Sequence, residues 1–301
     1  MPDERHGWIT GLLLPVTTPF DPVTGDVAPV LFRDNLRRWL SSPIDGIVLF
    51  GSTGEGVLLD EEERRRLIDF ARDLLPAHLP LIAGVHAEST RAAIRLVRAM
   101  AEAGADAVLV SPPAYFGSVL SPGALRDHYT AVADASPVPV IVYHMPKFTH
   151  VVLEAGLVGE LSRHGNVVAV KDSSGDLKRL ADYTNVCANG CKVLVGNGAL
   201  LYTALELGAA GGIMALGLLA TDECAAILHH FHAGEPQKAG LIQTRIAPVH
   251  RDVVARFGAP GVKAALDHLG FAGGRPRPPL TGLSAKERSH VAHVLQAAKL
   301  V

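Results

Sequence analysis

The run Val167-Val168-Ala169-Val170-Lys171-Asp172 holds the residue with the most obvious chemistry. Apolar, mostly β-branched residues lead straight into a lysine, which reads as a strand buried on both faces. Burying an ammonium sacrifices its hydration, so Lys171 is either an ordinary lysine just past a strand or one kept neutral for a purpose. A neutral amine can attack the ketone of a 2-oxo acid and form a Schiff base. The iminium then serves as an electron sink for making or breaking the C3–C4 bond. An unperturbed lysine titrates at about 10.4, so the surroundings must lower that value. Lys192 is the nearest competitor, but it precedes its apolar run, Val193-Leu194-Val195, instead of ending it.

Tyr143 closes another apolar run. It is either a core residue with a satisfied hydroxyl or a proton carrier for the carbinolamine and the aldol hydroxyl. Gly51-Ser52-Thr53-Gly54-Glu55-Gly56 is either a plain Gly-rich turn or a cradle for a carboxylate or phosphate oxygen, with two hydroxyls beside free amides. It lacks the lysine of a P-loop, which argues against nucleotide binding. Tyr115, in Ser111-Pro112-Pro113-Ala114-Tyr115-Phe116, is an aromatic that reaches the site, meets another subunit or covers the barrel top.

These residues need a frame that gathers strand ends. Eight apolar runs read as strands: Leu12–Thr17, Gly46–Phe50, Leu81–Gly84, Ala107–Ser111, Val138–Tyr143, Val167–Lys171, Val193–Gly196 and Gly212–Ala215. Amphipathic helical segments separate them. One begins at the acidic cluster Asp60 to Glu63, where a helix macrodipole favours negative charge. Its apolar face is Leu67, Ile68, Ala71, Leu74 and Leu75. Glu61–Arg66 reads as a solvated face or part of a subunit contact. The pattern predicts a (β/α)₈ TIM barrel over residues 1–221, with sites at the C-terminal ends of the strands. A doubly wound open sheet fits less well, because no G-x-G-x-x-G follows the first strand. Residues 222–301 read as the last barrel helix plus a helical extension, with helices at Asp222–His232, Pro236–Phe257, Gly261–Leu269 and Ser284–Leu300.

Composition narrows the partners. The net charge of −2 and the absence of a basic stripe argue against nucleic acid and anionic membranes. From Val193 to Ala220 only Glu206 is charged, yet six glycines break the stretch into strand, helix and strand rather than a membrane span. Three cysteines are too few for a disulfide framework, and the N-terminal MPDERHGWIT lacks the apolar core of a signal peptide, so the expected setting is a reducing cytoplasm. His229-His230-x-His232 lacks the spaced carboxylate or cysteine that a metal shell needs, so no metal is expected.

Gly51-Ser52-Thr53-Gly54-Glu55, Tyr143-x-x-Pro146, the strand-borne Lys171, Gly196-Asn197-Gly198 and Gly211-Gly212-Ile213 together resemble the dihydrodipicolinate synthase/N-acetylneuraminate lyase superfamily. The resemblance covers nearly the whole chain. It implies a class I aldolase without metal or other cofactor, acting on pyruvate and an aldehyde. It implies Lys171 as the Schiff-base lysine and Tyr143 as the proton relay, assisted by Thr53. Ser52, Thr53, Gly196 and Ile213 are then expected to contact the 2-oxo acid, and Tyr115 to reach a neighbouring subunit of a homotetramer built as a dimer of dimers. The synthase proper usually has an arginine where Phe148 stands, an asparagine at His144 and a second tyrosine at Ala114. These departures argue against lysine-pathway synthase activity, and the segments Ala124–Ala133 and Arg256–Lys263 most closely resemble the 4-hydroxy-2-oxoglutarate aldolase branch. The alternatives are the synthase that condenses pyruvate with aspartate semialdehyde, a deoxy-sugar-acid aldolase or dehydratase, and a non-catalytic 2-oxo-acid-binding homologue.

Overall fold

A computed structural model describes residues 8–188 and 190–301. Met1–Gly7, part of the stretch inspected above for a signal peptide, and Asn189 lie outside the described residues. Eight parallel strands close into a barrel in sequence order. They are β1 (Gly11–Pro15), β2 (Gly46–Leu49), β3 (Leu81–Val85), β4 (Ala107–Val110), β5 (Val140–His144), β6 (Val167–Asp172), β7 (Lys192–Val195) and β8 (Gly211–Ile213). This is the expected (β/α)₈ barrel, with small shifts at strand ends. The fifth strand starts at Val140 rather than Val138, since Pro139 has no N–H to give to the ladder. The second stops before Phe50, whose φ of 58° leaves the extended region.

Helices wrap the barrel: α1 (Pro29–Trp39), α2 (Glu61–Arg72), α3 (Thr90–Glu102), α4 (Pro122–Ala135), α5 (Pro146–Thr149), α6 (Ala155–Leu161), α7 (Leu177–Val186) and α8 (Leu201–Glu206). The acidic cluster opens α2 as a capping box between Asp60 and Glu63. Arg64 corrects the expectation of a wholly solvated face. It is buried and donates to the carbonyls of Leu59, Gly84 and Gly56, tying α2 to the β2 and β3 loops.

Two apolar cores result. One fills the barrel and includes Leu13, Val48, Ile82, Leu109, Ile141, Ala169, Leu194 and Ile213; the larger one lies between strands and helices. Val140 pairs with Val167 but Ile141 pairs with Ala169, so Val168 is an extra residue in β6. This bulge shifts the in-and-out alternation by one and aims Lys171, with Tyr143 opposite it, into the barrel.

The segment from Val193 to Ala220 folds as β7, α8, β8 and short connecting turns, and no helix among the described residues is long and apolar enough to cross a membrane. Beyond β8 come α9 (Thr221–His232), α10 (Pro236–Val249), a π-helical turn (His250–Ala255), α11 (Arg256–His268) and α12 (Ala285–Ala297). The single helix expected over Pro236–Phe257 is therefore interrupted. Gly258, at φ 62°, bends α11 in addition.

Candidate active site

Lys171 and Tyr143 face each other across the β5–β6 ladder near its C-terminal end. The Lys171 ammonium nitrogen lies 4.2 Å from the centre of the Tyr143 ring, and both residues are buried. Burial lowers the Lys171 pKa below its ordinary value, and Tyr143 opposes the shift only in part. The Ser52 hydroxyl lies 3.4 Å from the Tyr143 hydroxyl. A cavity of about 220 Å³ opens there, lined by Ser52, Thr53, Tyr143, Lys171, Gly196 and Ile213 among others. Six of the seven residues singled out from the sequence thus meet at one mouth. Lys192 pairs with Ala169, lower in the β6–β7 ladder and outside the cavity wall.

The seventh residue, Tyr115, stands apart. It is 81% exposed, packs edge-on against Phe116 and does not line the cavity. Its backbone N–H donates to Glu88, which holds the loop after β4 in place.

The Ser52–Thr53 loop has a rigid foundation. Phe50 precedes it in the left-handed region, and the Phe50 carbonyl accepts from His86 Nε2 at 2.9 Å. The other His86 nitrogen, Nδ1, meets the Ser111 hydroxyl at 2.9 Å. Burial drives the His86 pKa down to about 4, so the ring is neutral, donates from Nε2 and accepts at Nδ1. A Cβ at Gly56 or Gly84 would stand 2.0 or 2.3 Å from that same carbonyl, so only glycine allows the approach. On the far side, Gly196 donates its N–H to the Asp172 carbonyl at 2.6 Å; a side chain there would strike the Ser173 hydroxyl.

Several site residues were not anticipated from the sequence. His144 Nδ1 and Asp172 Oδ1 form a buried pair at 2.7 Å directly behind Tyr143 and Lys171. Asp172 also accepts from the Ser174 amide and hydroxyl. Lys263 and Glu55 form a buried ion pair, at 2.5 Å, and Glu55 further accepts from the Arg277 amide. The C-terminal helices roof the cavity with His250, Val254, Ala255, Ala259 and Val262, so this region is more than an appendage. The Arg256–Lys263 segment carried a signal of family likeness, yet nothing in it announced a role in the cavity wall. Among the described residues no group of three or more His, Cys, Asp or Glu side chains is placed to hold a metal. In the triple-histidine segment, His230 pairs instead with Glu235 at 2.6 Å.

A buried lysine facing a phenol at the C-terminal mouth of such a barrel defines an enzyme of the class I aldolase type, a lyase. A match to the dihydrodipicolinate synthetase family spans residues 8–298, and the chain belongs to that family. It is similar to the 4-hydroxy-tetrahydrodipicolinate synthase of Syntrophus aciditrophicus, at 32% identity over 291 residues, covering 97% of this chain and 99% of the relative. Its fold is similar to a dihydrodipicolinate synthase from Bacillus anthracis, with a TM-score of 0.90, 28% identity and coverage of 95% and 97% of the two chains. The chloride-inhibited dihydrodipicolinate synthase of Acinetobacter baumannii complexed with pyruvate gives 0.91, 28%, and 97% and 100%.

Proposed function

We propose that the protein joins pyruvate to an aldehyde through an imine on Lys171. The observation that carries this reading is the buried Lys171 amine, depressed in pKa, beside Tyr143 at the cavity mouth. The amine attacks the pyruvate C2 carbonyl, and loss of water from the carbinolamine leaves an iminium. Removal of a C3 proton gives an enamine, whose C3 attacks the aldehyde carbon, and the resulting alkoxide takes up a proton. Tyr143, with Ser52 at 3.4 Å and Thr53 on the cavity wall, moves the protons, while the Ser52–Thr53 loop holds the pyruvate carboxylate.

The aldehyde that the relatives favour is aspartate semialdehyde, the co-substrate of the synthase reaction. Neither relative similar in sequence nor the two similar folds carry the 4-hydroxy-2-oxoglutarate aldolase name, and that preference gives way. Phe148 still departs from the synthase pattern. Lys147, fixed by a 2.7 Å bond to the Ala255 carbonyl, keeps a cation at the rim in place of the missing arginine. We propose a homotetramer as the working assembly, in which Tyr115 covers a neighbour's site.

Incubation with pyruvate and borohydride, followed by mass measurement, tests the imine. A mass gain of one reduced pyruvate, lost in Lys171→Ala, is expected, and no gain refutes the reading. Turnover with aspartate semialdehyde then tests the co-substrate.

A further inference from the structure

His250 shares the cavity with Lys171 but comes from the C-terminal helices rather than from a strand end. It opens the π-helical turn His250–Ala255, a distortion that recurs at functional sites. Its Nδ1 accepts the Gly198 N–H at 3.2 Å. Burial, with Lys147 and Arg251 nearby, brings its pKa down to about 4. The ring is therefore neutral, and with Nδ1 occupied as acceptor its single proton sits on Nε2. No hydrogen-bond partner for that Nε2 stands among the described residues. A donor fixed in this way on a cavity wall is available to a ligand.

Position decides which half of the substrate meets it. The Ser52–Thr53 cradle follows β2, across the barrel from Lys171 on β6. His250 packs over Gly198, just after β7, on the Lys171 side of the mouth. The cavity wall carries apolar Met145, Phe148, Val254 and Val262 together with polar Lys147, Ser173, Ser174 and Asn197. A 2-oxo acid held by Ser52 and Thr53 leaves this side for the second substrate.

We propose that His250 is a specificity-determining residue, whose Nε2–H donates a hydrogen bond to an oxygen on the aldehyde chain beyond the reacting carbonyl. The inference rests on the imine reading above and adds the residue that selects the aldehyde. Aldehydes bearing a distal hydroxyl or carboxylate are favoured over plain alkyl aldehydes of the same length, because only the former satisfy the fixed donor.

The test compares wild type, His250→Phe and His250→Asn with pyruvate and two aldehydes, aspartate semialdehyde and butyraldehyde. Borohydride trapping is run alongside. In His250→Phe, kcat/KM for aspartate semialdehyde falls about 10- to 100-fold. Butyraldehyde turnover changes less than about threefold, and the trapped pyruvate adduct is unchanged. His250→Asn, which retains an acceptor and a donor, recovers part of the loss. Equal losses with both aldehydes, or a weakened adduct, overturn the assignment in favour of a packing role. A full adduct with no change in aldehyde preference overturns it alone. No adduct in wild type overturns the imine reading with it.

Discussion

His144 and Asp172 follow Tyr143 and Lys171 in the same strand register and point the opposite way, out of the barrel toward Tyr183. Successive residues on a strand alternate faces, so the Lys171–Tyr143 pair and the His144–Asp172 pair are parts of one ladder. The 2.7 Å contact between His144 and Asp172 clamps β5 to β6 where Lys171 must hold its direction.

That clamp predicts a contrast between two substitutions. His144→Ala leaves the Asp172 carboxylate short of a buried partner and costs about 1–3 kcal/mol of stability. His144→Asn restores a donor to Asp172 and recovers most of it. Denaturant unfolding measures both, and equal losses would show that the pairing itself contributes nothing.

The depressed Lys171 pKa fixes the sign of the rate's pH dependence. Only the free amine attacks, so imine formation rises with pH until the amine is deprotonated and then levels off. Because the pKa is lowered, the midpoint of the rise is expected below 10.5. Below the pKa, the rate should fall about tenfold per pH unit. Stopped-flow measurement of pyruvate binding across pH checks this, and a midpoint at or above 10.5 would contradict it.

His86 and His250 predict sensitivity to acid. Each has a folded-state pKa near 4 against an ordinary 6.5. Between those values the unfolded chain takes up protons that the native rings refuse. Stability contributed by the neutral rings is complete above pH 6.5 and is lost as pH falls toward 4. The loss is roughly 3 kcal/mol per ring at the lower end. Unfolding free energies for wild type and His250→Asn over this window should diverge, with the variant less affected by acid.

Lys263→Met leaves Glu55 as a buried carboxylate without its counter-ion, at a cost of about 3–5 kcal/mol. Adding Glu55→Gln to that variant should recover most of the stability. Pyruvate KM should remain raised, since Glu55 ends the loop that carries Ser52 and Thr53. Urea unfolding and steady-state kinetics separate the two effects.

The barrel was legible because each strand is a compact apolar run and each helix shows a periodic face. Lys171 and Tyr143 were legible because each ends such a run. The direction of Lys171 was not, since the run Val167–Val170 is apolar throughout and hides the bulge at Val168 that sets it. His144 and Asp172 look like ordinary loop residues until the β5–β6 register pairs them. Glu55 and Lys263 lie in segments far apart in the chain, and nothing local to either signals a partner. His250 was invisible for a related reason: its cavity position depends on the π-helical turn and on the packing of the C-terminal helices over β7.

The Lys263–Glu55 contact also bears on how the protein comes into being on the ribosome. Glu55 belongs to a loop made early, whereas Lys263 emerges only after the whole barrel has been synthesised. A nascent chain that already has all eight strands still lacks the cation paired with Glu55 and the roof that carries His250. A polypeptide released before the late helices are added would leave Glu55 buried without its cation and the cavity without its roof.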